Sequence, residues 1–394
     1  MKNTYTALKT PFLRIFRDSY DNLKKDICFL LILLTGERYM TNDQTYRNQI
    51  DIEDTLKLRS VLKTLPEFCG DFFRGISSTT AASTRIKYAY DIRIFFQYLI
   101  DNNPALARTS SVSSLTIDLL DKITPLDLEE YMEYLKAYKS GESDNYITNG
   151  EKGIKRKMSA LRAFYSYYFK RELIKTNPTL LIDMPKLHQK EIIRLDADEV
   201  AALLDFIEAG GEDMSEHQKN YLKKTRVRDL AIITLLLGTG VRVSECVGLD
   251  LNDVDFRNNA IRVMRKGGNE MFVYFGDEVE NALKNYIDER KNTAALPESE
   301  NALFLSSQRK RISVKAVENL VKKFSKHITA TKHITPHKLR STYGTALYQE
   351  TGDIYLVADV LGHKDVNTTK KHYAAMSDMR RRKAANAVTL REQE

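Results

Sequence analysis

Two neighbouring stretches of this chain carry the short, two-residue-period pattern of strands. Ala260–Met264 and Met271–Phe275 flank Lys266-Gly267-Gly268-Asn269, a glycine-rich turn that suits a hairpin. The rest of the chain places its apolar residues at helical spacing. That asymmetry constrains the fold most: one small sheet has to pack inside a protein built of helices. The predicted fold class is mainly α with a small β-sheet.

Punctuation sets the helix limits. In the first half, Ile50 to Leu65 reads as a helix stopped by Pro66. Ser83 is a candidate cap for a second helix reaching Leu99, with the stripe Tyr88, Ile92, Phe95, Phe96 and Leu99. Thr124-Pro125 starts a third, with Pro at the first helical position. Lys139 to Gly153 reads as a polar loop, and Ile154 to Phe169 as a fourth helix. The domains expected are a helical unit over 46–185, a linker over 186–193, and a mixed α/β unit over 194–394. In the latter, Asp198–Ile207, Arg228–Gly238 and Ser244–Leu249 read as helices, as do 277–292, 313–328, 335–350, 353–361 and 367–385. Residues 1–45 form an N-terminal extension. Gly36-Glu37-Arg38 is encodable as a purine-rich ribosome-binding sequence just before Met40, so 1–39 is expected to lie upstream of the natural start; a genuine N-terminal helix is the alternative.

Composition narrows the class. The formal charge is +8, which suits a polyanionic partner without requiring one. Cys28, Cys69 and Cys246 are odd in number and far apart, so neither a disulfide framework nor a metal site is expected. The apolar run Ile27–Leu34 is too short to cross a bilayer. A reducing, cytoplasmic setting follows as the expectation.

The chemistry concentrates near the C-terminal end. Thr335-Pro336-His337-Lys338-Leu339-Arg340, then Leu361-Gly362-His363, then Thr368-Thr369-Lys370-Lys371-His372-Tyr373 bring a guanidinium, two imidazoles and a phenol into one short region. Gly240-Val241-Arg242-Val243-Ser244-Glu245 offers a second guanidinium upstream. A phosphate ester would use all of them. Arg grips two phosphate oxygens in a planar fork, His moves protons near neutral pH, and Tyr can attack as a covalent nucleophile. On the fourth helix Lys155, Arg156, Lys157 and Arg162, and on the second Arg85 and Lys87, are candidate contacts to a DNA backbone, with the basic side of the fourth helix facing outward.

Arg242, Lys266, His337, Arg340, His363 and Tyr373, in that order and near that spacing, resemble the motif set of the tyrosine recombinases, or phage-integrase family. The resemblance is strong over about 190–380 and looser over the helices before it. It implies a SAM-like core-binding domain followed by a mixed α/β catalytic domain, closing as a C-shaped clamp on duplex DNA. It also implies roles. Arg242 and Arg340 would clamp the scissile phosphate. Lys266 would protonate the leaving 5′ oxygen, with Arg265 beside it as a possible phosphate ligand. His337 would act as acid and base, and His363 would hydrogen-bond a phosphate oxygen. Tyr373 would form a 3′-phosphotyrosyl link, and Glu245 would hold Arg242. No metal or other cofactor is implied. The chain departs from the pattern in the ten-residue step from His363 to Tyr373, in His372 beside the phenol, and in Ser341 where the family often has His.

The expected function is site-specific recombination of the Xer-like kind, resolving dimers of chromosomes or plasmids. The expected partners are double-stranded DNA sites and a homotetramer, or a hetero-tetramer with a related recombinase. The tail past Tyr373, including Arg380-Arg381-Arg382-Lys383, would be exchanged between protomers. A mobile-element or phage integrase is the alternative subtype. A type IB topoisomerase is a chemical relative, and a non-catalytic DNA-binding accessory protein is the alternative of another class.

Overall fold

The computed structural model describes residues 46–106, 111–139, 145–188, 192–211, 214–265, 269–362 and 366. The predicted extension 1–45, the linker residues 189–191 and the tail beyond Tyr373 lie outside them. The chain divides into two compact units after His188.

The first unit contains α1 (Tyr46–Leu62), α2 (Cys69–Gly75), α3 (Ala82–Asn102) and α4 (Pro125–Tyr134), then β1 (Ala137–Lys139), β2 (Tyr146–Thr148) and α5 (Glu151–Phe169). The start of α4 is written in its sequence. The Thr124 hydroxyl accepts from the Asp127 amide at 3.3 Å, and the Asp127 carboxylate accepts from the Thr124 amide at 2.7 Å. Each residue satisfies a donor that the helix start leaves open, and Pro125 has no amide hydrogen to lose. The core is aromatic: Phe72, Phe73, Phe95, Phe96, Tyr131, Phe164, Tyr165 and Tyr168 are all buried. Most pairs meet edge-on, as between Phe72 and Phe164 at 5.2 Å, the arrangement ring quadrupoles favour.

Three expectations for this unit are corrected. It is not all-helical, because the segment read as a polar loop holds a small antiparallel hairpin with Tyr138 opposite Ile147. Three-residue strands with mostly exposed side chains carry too little alternation to be read. The short α2 was missed for the same reason of length. Ser83 does not cap α3, which starts at Ala82 without a side-chain cap.

The second unit contains α6 (Ala197–Glu208), α7 (Glu216–Thr239), α8 (Val243–Gly248), β3 (Val254–Asp255), β4 (Ala260–Met264), β5 (Glu270–Tyr274), α9 (Asp277–Lys291), α10 (Val314–Ile328), α11 (Pro336–Thr351) and α12 (Ile354–Leu361). The strands form one antiparallel sheet in the order β3-β4-β5, with Ile261 opposite Val273. The fold class is therefore mainly α with small sheets. α7 is the hub, with α6, α9 and α11 packed against it. Ala231, Ile232, Ile233, Leu235 and Leu236 on it are fully buried. It begins twelve residues earlier than predicted. Ser215 and Gln218 cap it, since the Gln218 amide donates to the Ser215 hydroxyl and the Ser215 amide to the Gln218 side chain. Its polar first half, Glu216–Lys224, hid the helical period. No helix among the described residues is long and apolar enough to cross a membrane.

Candidate active site

The site is assembled where the end of α7, the start of α11 and the end of α12 meet. α7 stops at Gly240, whose φ of +62° lies in the left-handed region. Side-chain space is also closed there: a Cβ would sit 2.4 Å from Cδ1 of Tyr343. Two residues on, Arg242 leaves in an extended conformation as the residue before α8. Glu245, in the first turn of α8, reaches back. One carboxylate oxygen accepts from the Arg242 backbone amide at 2.8 Å and the other from Arg242 Nη1 at 2.7 Å. The Glu245 side chain is 4% exposed and that of Arg242 39%. A buried anion thus fixes a guanidinium that still faces solvent, through charge-assisted bonds.

α11 supplies the second cation. Thr335 precedes Pro336 at the helix start, as predicted, and Leu339 is buried, so Arg340 enters the interior with only 4% exposure. Its Nη1 donates to the Gly240 carbonyl and its Nη2 to the Leu361 carbonyl. His337 lies one helical turn before Arg340 and is exposed, so the two share a face.

A second reversal ends α12 at Gly362, again left-handed with φ of +62°. A helix end leaves its last carbonyls without amide partners and concentrates partial negative charge. Guanidinium groups take up that role here. Arg242 Nη2 donates to Gly362 O at 3.2 Å, and Arg340 to Leu361 O. Arg265, at the end of β4, donates to Val360 O at 2.7 Å and Asp359 O at 3.3 Å. Desolvation lowers the Arg265 pKa and the nearby Arg242 charge adds to the lowering, while Glu245 opposes it. Three guanidinium groups converge on one turn of backbone, and fixed cations of this kind suit an anionic ligand such as a phosphate ester.

Of the predicted catalytic and supporting residues, Arg242, Glu245, Arg340 and His337 fall in the described structure, and the first three are brought together. Lys266, His363 and Tyr373 lie outside the described residues. Sequence reasoning placed Arg265 only as a possible phosphate ligand and missed its contact with α12; nothing in the local sequence marks a side chain that bonds to backbone carbonyls ninety-five residues away.

The candidate DNA contacts of the first unit separate. Lys155 is half-buried and Lys87 exposed, while Arg85 is half-buried. Lys157 does not face outward: its side chain is 7% exposed and donates to Asp91 at 3.3 Å. Arg156 forks onto the same carboxylate, with one bond at 2.8 Å. Arg162 donates to the carbonyls of Thr179 and Ile182 and holds the segment after α5. The reason is Asp91, which sits among the apolar residues of α3, 2% exposed, and needs cations beside it. An acid one turn after Tyr88 and next to Ile92, inside the apolar stripe, was the available signal.

With the geometry described, the chain can be set beside known proteins. The model of the phage integrase family matches residues 193–380. The tyrosine recombinase XerC of Caldanaerobacter subterraneus subsp. tengcongensis is 31% identical over 354 residues, covering 87% of this chain and 91% of that protein. The tyrosine recombinase XerS of Streptococcus uberis is 30% identical, covering 82% and 95%. Among solved structures, the XerH site-specific recombinase bound to a palindromic difH substrate in a post-cleavage complex superposes with a TM-score of 0.57 at 20% identity, covering 88% and 90%, a likeness of fold. The chain belongs to the phage integrase family. It is a tyrosine recombinase, and of those relatives the two matched by sequence carry Xer names.

Proposed function

We propose that the protein cuts and rejoins duplex DNA at a specific site through a 3′-phosphotyrosyl intermediate, in an Xer-like role that resolves dimeric chromosomes or plasmids in the cytoplasm. The observation that carries the reading is the meeting of Arg242 and Arg340 at the end of α12, one residue short of His363.

In this reaction the Tyr373 oxygen attacks phosphorus and its proton passes to His337. The bond from phosphorus to the 5′ oxygen breaks, and Lys266 supplies the proton that oxygen takes up. Arg242, Arg340 and His363 hold the non-bridging oxygens as charge builds on them. One ester replaces another, so the bond energy is kept for religation by the reverse path. Lys155, Lys87 and Arg85 contact the DNA backbone. Arg156 serves both Asp91 and DNA, whereas Lys157 and Arg162 organise the unit that presents the others. Four protomers, identical or paired with a related recombinase, hold two DNA sites.

The test is a duplex containing the site that the protein selects from a randomised pool, nicked beside the scissile phosphate so that the cut end diffuses away. A covalent adduct that is lost in Tyr373→Phe supports the reading. Tight, specific binding with no adduct in the wild type replaces it with the accessory-protein reading.

A further inference from the structure

Arg265 is pinned twice. Its backbone amide donates to Asn269 O at 2.8 Å and so closes the hairpin turn between β4 and β5. Its guanidinium spans to the last turn of α12, on Asp359 O and Val360 O. The approach is close: a Cβ on Gly362 would lie 1.7 Å from Arg265 Nη1, so only glycine leaves room for the side chain to pass. Lys266 is bonded directly to Arg265, and His363 directly to Gly362. The same turn of α12 holds Arg242 and Arg340 through Gly362 O and Leu361 O.

We infer that Arg265 is a positioning residue of the cleavage step: it ties the hairpin that carries the general acid, Lys266, to the helix end that seats both phosphate-binding arginines. The inference rests on the recombinase reading above. Arg265 spends its fork on two carbonyls that lie one residue apart, a geometry that a lysine ammonium does not reproduce. Without the strut, the end of β4 loses its tie to the last turn of α12. Misplacement of a reacting group by about 1 Å costs on the order of a hundredfold in rate.

Leaving-group chemistry tests this. A substrate whose 5′ bridging oxygen is replaced by sulfur expels a thiolate, which needs no proton because thiols ionise near neutral pH (pKa about 8.5). The general acid is then dispensable. On the oxygen substrate, Arg265→Ala and Arg265→Lys are both expected to form adduct about tenfold to a hundredfold more slowly than wild type. On the sulfur substrate both should return to within about threefold, as should Lys266→Ala, while Arg340→Ala should stay slow. If Arg265→Ala does not fold, Arg265→Lys carries the same reading. Slow cleavage of both substrates by the Arg265 variants would make Arg265 a phosphate ligand and overturn the inference. Unchanged cleavage of the oxygen substrate, full activity of Arg265→Lys, or no sulfur rescue of Lys266→Ala would also overturn it. Absence of any wild-type adduct removes the recombinase reading itself, and this inference with it.

Discussion

Arg242 and Arg340, ninety-eight positions apart, donate to consecutive backbone carbonyls, those of Gly362 and Leu361. The two guanidinium groups are therefore registered against each other by one peptide unit. Arg340 is buried and fixed from both sides, by Gly240 O and Leu361 O. Arg242 is more open and depends on Glu245. Arg340 is the more rigid of the two, and Arg242 the more open to solvent.

Arg340→Lys keeps the charge but cannot bridge both carbonyls. Adduct formation on the nicked duplex should fall by about a hundredfold or more, the usual cost of losing a fixed donor to a developing oxyanion. Arg340→Ala also leaves two buried carbonyls unpaired, at about 1–3 kcal/mol each, and the urea midpoint should drop accordingly. An Arg340→Lys enzyme with wild-type rates would contradict the assignment.

Glu245→Gln preserves shape and removes charge. The Arg242 fork then loses its anion, and its placement loosens. Adduct formation should slow by about tenfold to a hundredfold, while DNA binding in a mobility-shift assay stays within about threefold. A loss confined to binding would assign Glu245 to DNA recognition instead.

Asp91 in the first unit is held between Arg156 and Lys157. Burial raises its pKa, and Lys157 and Arg156 pull the other way. Asp91→Ala strands the Lys157 ammonium in the core, which should cost about 3–5 kcal/mol. Asp91→Leu combined with Lys157→Met should recover most of that, since Arg156 is 45% exposed and can turn to solvent. Denaturation followed by a probe in the first unit reads both. Equal loss in the single and double variants would show that the pair is not what the core requires.

Gly240→Ala meets two obstacles at once, the left-handed backbone and Tyr343 at 2.4 Å. The expected loss is about 2–4 kcal/mol, combining a left-handed penalty of about 1–2 with overpacking. Gly70→Ala is the control: it lies within α2 and a Cβ there meets nothing within 4 Å, so stability should not fall.

Much of the second unit was legible because its helix limits are chemical. Thr335-Pro336 and the glycines at 240 and 362 mark a start and two stops within a residue or two of those observed. The cations and their order were legible as a motif. What was hidden depends on distance in the chain. The carbonyls of Gly240, Leu361 and Gly362 carry no side-chain signature. Lys157 looks, on its own helix, like one more solvated charge, and only Asp91 on another helix draws it inward. The first half of α7 reads as polar because half of a long helix can be solvated while the other half forms the core.

The three arginines are anchored to main-chain oxygen, and this shapes how the protein can change over generations. Every residue type brings the same carbonyl, so the exposed Asp359 and the half-buried Val360 can be exchanged without disturbing the grip, provided the turn keeps its shape, whereas Leu361 is also held by its burial in the core. Mutational drift along that turn would leave no compensating trace in the arginines. Gly362, left-handed and hemmed in by the Arg265 side chain, would register as intolerant in a saturation library for a reason unrelated to core packing, and its intolerance would mark the anchoring point more sharply than any pattern of paired substitutions.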